Sequence, residues 1–144
     1  MESESTSGCN VTGLLTQIYQ PLSTPWGDNM AITELYAGSE NVTTTEWSLS
    51  GDDNSLASLT TDGVYQVFLD VSNLAGADLF RIRIYEKVQS GDTQRVVYEA
   101  FIGGPQASPI WSSPALILMN GWDVSLFRIA GSDRVITWSI RQIA

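Results

Sequence analysis

Histidine is absent from this sequence, and cysteine and lysine each occur once. Without histidine there is no imidazole base, no Ser–His or Cys–His nucleophile pair and no His metal ligand. Cys9 alone forms no internal disulfide, so the fold needs no oxidising compartment, and the thiol reads as incidental. No apolar run reaches the roughly 18 residues of a membrane-spanning helix, so no membrane partner is expected. The opening MESESTSGCN is acidic and polar, whereas a Sec-type signal needs a basic start and then an apolar run. No export signal is expected, so the sequons at Asn10 and Asn41 read as chance matches.

Basic residues are scarce: seven against sixteen acids, a formal charge of −9. Phosphate neutralisation needs clustered Lys and Arg, so no nucleic-acid partner is expected. The acidic surplus suits a soluble chain and a basic partner surface.

What is present is alternation of period two. In Val64–Val71, Tyr65, Val67, Leu69 and Val71 form the apolar set. In Leu79–Val88, Phe80, Ile82 and Ile84 face one way and Arg81, Arg83, Tyr85 and Lys87 the other. In Gln94–Ile102 the apolar set is Val96, Tyr98, Ala100 and Ile102, and in Arg134–Ile143 it is Ile136, Trp138 and Ile140. β-Branched and aromatic residues dominate, as half-buried strands require. Shorter candidates are Ile32–Ala37, Val42–Leu49, Ala115–Met119 and Trp122–Ala130.

The connections predict antiparallel neighbours. SNLAGAD (72–78) and QSGDT (89–93) separate the first three long runs, and Asn120-Gly121 is the strongest hairpin signal. GGPQASPIWSSP (103–114) reads as a loop crossing between two three-strand meanders. The expected fold is all-β: an antiparallel β-sandwich, jelly-roll or Ig-like, of about eight strands.

Met30 reads as the start of that domain (30–144), with residues 1–29 an extended N-terminal arm. Leu14, Leu15, Ile18 and Tyr19 would make one short helical stripe, too short to stand alone in water. With Trp26 they are candidate interface residues on a neighbour. Trp111 is another candidate: it anchors an interface, stacks a sugar or packs its loop onto the sandwich. Trp47, Trp122 and Trp138 sit on core registers. Arg81, Arg83, Lys87 and Arg95 form a basic stripe that either docks an acidic surface or pairs across strands with Asp70, Glu86 or Glu99. Asp52, Asp53 and Asp62 lie in turns, where Asp bonds its local backbone. That favours a turn role over calcium or a glycosidase pair. No catalytic residue, metal or cofactor is expected.

Five pieces carry a resemblance: DGVYQ (62–66), RIYEK (83–87), TQRVVY (93–98), GWDV (121–124) and GSDR (131–134). With them, residues 30–144 resemble small virion-associated β-domain proteins of tailed bacteriophages, of the capsid decoration or cement type. The resemblance implies a non-enzymatic protein on the capsid exterior, made in the host cytoplasm. Its implied partners are the major capsid protein and neighbouring copies of itself. A carbohydrate- or receptor-binding module of a head or tail fibre, or a neck or tail component, is the alternative. Residues 1–29 fall outside the resemblance.

Overall fold

A computed structural model of the chain describes residues 31–143. Nine strands run in order: β1 (Ile32–Val42), β2 (Trp47–Ser48), β3 (Gly63–Asp70), β4 (Leu79–Glu86), β5 (Arg95–Gly103), β6 (Ile110–Ser112), β7 (Leu116–Leu118), β8 (Asp123–Ala130) and β9 (Arg134–Ile143). One sheet has the order β1-β9-β3-β6, with β7 also on β3. The other has the order β2-β8-β4-β5. Every pairing is antiparallel.

The topology follows from how the pairs nest. β4 pairs β5, β3 pairs β6 and β7, β2 pairs β8, and β1 pairs β9. That is one long antiparallel ribbon with its tip between β4 and β5, wrapped so that alternate segments fall in opposite sheets. Counting β6 and β7 as one broken strand gives the eight strands of a jelly roll, so of the two expected sandwich types the jelly roll is the one found. The break falls at Ser113-Pro114-Ala115, where Ser113 Oγ takes the Val67 N–H at 2.9 Å in place of a ladder partner.

Nesting overturns three of the expected antiparallel connections and with them both expected meanders. Asn120-Gly121 turns with a positive φ of 56° at Gly121, yet it joins strands of opposite sheets. SNLAGAD and Gly131-Ser132-Asp133 are likewise crossings, and only QSGDT closes a true hairpin. Residues 103–114 do cross between sheets, but they also carry β6. This short edge strand tolerates its flanking prolines because one side of its backbone needs no ladder bonds. The candidate Val42–Leu49 shrinks to two residues of β2, while β1 runs on past Ala37 to Val42.

The core lies between the inner faces. Tyr65, Val67, Leu69, Ile136, Trp138 and Ile140 meet Phe80, Ile82, Ile84, Ile102, Val124 and Leu126, all buried. Trp122 is fully buried against Tyr65, with ring centroids 4.4 Å apart, and both side chains donate to the Thr61 carbonyl. Trp138 covers Gly38 on the adjacent strand. A Cβ there would stand 2.6 Å from the indole, so the residue opposite this Trp has to be glycine. Trp47 is half-buried and packs against the same core.

Extra residues interrupt the alternation at Leu35 in β1, Ile129 in β8 and Val97 in β5, and the last changes a sequence expectation. A register shift opposite Ile84 and Tyr85 makes Val97 an extra residue in β5. Tyr98, Ala100 and Ile102 face inward as expected, but the bulge turns Val96 outward and leaves it exposed.

Candidate functional site

The two outer faces differ in kind. On the β2-β8-β4-β5 sheet, the connection that follows β1 and flanks β2 lies across the strands. Its Glu46 carboxylate accepts from Tyr85 Oη and Ser125 Oγ at 2.5 Å each, with an Arg81 guanidinium nitrogen at 4.0 Å. Arg81 stacks over Phe127, 4.6 Å from the ring centroid. Burial, then the bond to Glu46, raises the Tyr85 phenol above its ordinary range.

Beside this lies a fully buried carboxylate, Asp123. It accepts Ser48 Oγ at 2.6 Å, Ser50 Oγ at 2.7 Å, the Ala57 N–H at 2.7 Å and its neighbour's Val124 N–H at 2.8 Å. Four donors compensate the desolvated charge, and three of them hold the segment around residues 48–57 onto β8. Nothing in the local sequence singled out Asp123, because its partners stand about seventy residues upstream.

A second buried carboxylate, Asp78, ties two sheet crossings together. It accepts the Ala75 N–H at 2.8 Å, the Ser132 N–H at 2.9 Å and Arg134 Nε at 2.7 Å. The Ser132 and Ala75 N–H donors are the main reason its carboxyl sits at about 2 rather than 3.8, and Arg134 adds to them. Gly131, at φ 85°, makes room: a Cβ there would lie 2.3 Å from the Asp78 carboxylate.

The arginine stripe is broken up. Arg83 bonds Glu99 across the strands at 2.5 Å, one of the pairings expected, and that bond raises its pKa. Arg81 leans on Phe127 and Glu46. Arg95 lies past the β5 bulge, in register with Glu86, and so turns to the opposite face from Arg81 and Arg83. Trp111 belongs to β6, pairs with Leu69 and packs half-buried against the core. Asp52 accepts the Trp47 indole N–H at 3.2 Å and Asp53 accepts the Ser55 N–H at 3.1 Å, both local turn bonds. Leu14, Leu15, Ile18, Tyr19 and Trp26 lie outside the described residues.

The outer face of the other sheet has no such covering among the described residues. Its registers set Ile32 opposite Ile143, Ile143 opposite Val64, and Val64 opposite Ile117. One outward aliphatic from each of four adjacent strands therefore makes a continuous row. Ile32 is 69% exposed, Ile143 38% and Ile117 76%. Beyond the row, Arg141 stacks over Phe68 at 4.1 Å, and Ser139 bonds both Glu34 and Arg141. A shallow groove of about 520 Å³ follows, floored by Phe68, Thr137 and Ser139 and ending at Asp70 and Ile110. The row escaped sequence reading because each strand contributes a single outward residue, with no local pattern to betray it.

No family model matches the chain, and no curated protein matches it. Among solved structures it is similar to a chain from Bacillus endospore appendages, described as a novel family of disulfide-linked pili. The TM-score is 0.45 at 14% identity, over 79% of this chain and 88% of that one.

Proposed function

We propose that this chain is a non-enzymatic structural subunit of a multi-copy assembly. In its finer form this is a decoration protein on the head exterior of a tailed phage, bound to the major capsid protein and to neighbouring copies, with residues 1–29 reaching those neighbours. The observation that carries the reading is the outward aliphatic row of Ile32, Ile143, Val64 and Ile117, one residue from each of four adjacent strands, with Ile32, Ile143 and Ile117 exposed. An exposed apolar surface of this kind marks an interaction site. The non-enzymatic character is supported by what the carboxylates do. Asp123, Asp78 and Glu46 each spend their acceptor capacity on donors that pin loops and crossings. Trp111, on which the carbohydrate alternative stood, faces the core.

Antibody labelling of purified phage particles, followed by cryo-electron microscopy, tests the reading. Dense label over the whole head is expected. Label confined to the neck or tail would move the protein to that region, and particles without label would overturn the virion reading.

A further inference from the structure

We propose that the outer face of the β1-β9-β3-β7 sheet docks on the same face of a second copy of this chain. The proposal rests on the assembly reading above and names the contact that would serve it.

The face is self-complementary. Consider a two-fold axis running parallel to the strands, in the plane between two facing sheets and between β3 and β9. It lays Ile143 on Val64 of the second copy, and Ile32 on Ile117 of the second copy, each in both directions. The same axis sets Arg141 over Gln66, Ser139 over Phe68 and Thr137 over Asp70, because it exchanges the registered partners of the β3·β9 ladder. No carboxylate meets a carboxylate in this arrangement.

Charge points to the same face. A chain of formal charge −9 repels its copy wherever charge is dense. Along these four strands the charged outward side chains are Glu34, Asp70 and Arg141, and Arg141 stands between the two acids. The long edges are poorer docking surfaces. β1 carries an extra residue at Leu35 and β5 one at Val97, and bulges of this kind obstruct strand addition.

Area sets the strength. Four strands about 4.8 Å apart, along a strand rising about 3.3 Å per residue, span a plane of roughly 14 by 30 Å. That is about 400 Å² per copy, around half the share of a standard stable interface at roughly 800 Å². The pair is therefore weak alone and gains strength from repetition within an assembly.

Sedimentation velocity on the full chain from about 1 to about 500 µM tests this. A concentration-dependent dimer is expected, weakened at least about tenfold by Ile117→Lys, which buries an unpaired charge opposite Ile32 of the second copy. Adding Ile32→Glu should restore most of the affinity, since each lysine then faces a glutamate of the other copy. Within one copy the two positions are about 14 Å apart, too far to pair. A wild-type chain that stays monomeric, an Ile117→Lys chain that dimerises like wild type, or a double variant no better than Ile117→Lys each overturns the proposal. Particle labelling reads the assembly function separately: Ile117→Lys protein that dimerises like wild type yet still labels particles removes this face and leaves that function standing.

Discussion

Outside the core, the β2-β8-β4-β5 sheet wears a covering made by its own chain, whereas the β1-β9-β3 sheet shows none among the described residues. Both faces come from the same alternation. On the covered face the outward residues Asp123, Ser125, Tyr85 and Arg83 find donors and acceptors in a loop or a facing strand, while its β5 margin, with Val96 and Phe101, stays exposed. On the bare face Glu34, Ser139 and Arg141 bond one another, whereas Ile32, Ile143 and Ile117 have nothing over them among the described residues. The lesson is that outward polarity alone does not mark a binding surface. The polar centre of the covered face is met by its own chain, and the aliphatic row of the other is left for something else to cover.

That contrast can be broken from either side. The largest expected effect is on the covered face. Asp123→Ala strands the Ser48, Ser50 and Ala57 donors in a dry site and should cost about 3 kcal/mol by urea unfolding. Hydrogen exchange at Ala57 should quicken with it, and an unshifted midpoint would show that the network does not hold the loop. Next comes a control on the inner side of the bare sheet. Gly38→Val drives a side chain into the Trp138 ring and should cost about 2 kcal/mol, showing that this sheet is loose only on its outside.

A smaller effect concerns acid. Asp78 titrates at about 2 in the fold against an ordinary 3.8, so its contribution is complete above about pH 4 and is lost as pH falls toward 2. Asp78→Asn should therefore be less stable than wild type at pH 6, with the gap closing between pH 4 and 2. A gap independent of pH would contradict this. The smallest effect is on the bare face: Ile117→Lys should leave monomer stability within about 0.5 kcal/mol of wild type, since nothing in the described fold leans on that side chain. A larger loss would mean that the row is covered from within the monomer.

Much of the fold was legible because the apolar period is unbroken in β3, β4 and β9. Tyr65, Val67, Leu69, Phe80, Ile82, Ile136 and Trp138 are buried as alternation required. The pairing was not legible. Turn residues report local φ angles, and Asn120-Gly121 supplies its positive φ while saying nothing of which strand comes next in the sheet. In a nested ribbon the partners stand far apart: Ser39 bonds Thr137 and Ser48 bonds Asp123. The site was legible only where it was local in register, as in the Arg83–Glu99 pair. Arg95 was misplaced because one extra residue at Val97 reverses every side chain beyond it.

The nested ribbon also has a mechanical consequence. Its open end sets Ile32 against Ile143, so a force applied across these two residues loads only the first rung of β1·β9. The rungs then open in succession, like a zipper, and not together in shear. Tension through this corner should open the domain at low, sawtooth-like force in an optical trap. Tension between Ile32 and Arg134, at opposite ends of the β1·β9 ladder, pulls along the strands in shear and should meet far greater resistance. Equal forces in the two directions would contradict the ribbon account. An assembly that has to bear load would be held better through the sheet face than through its ends.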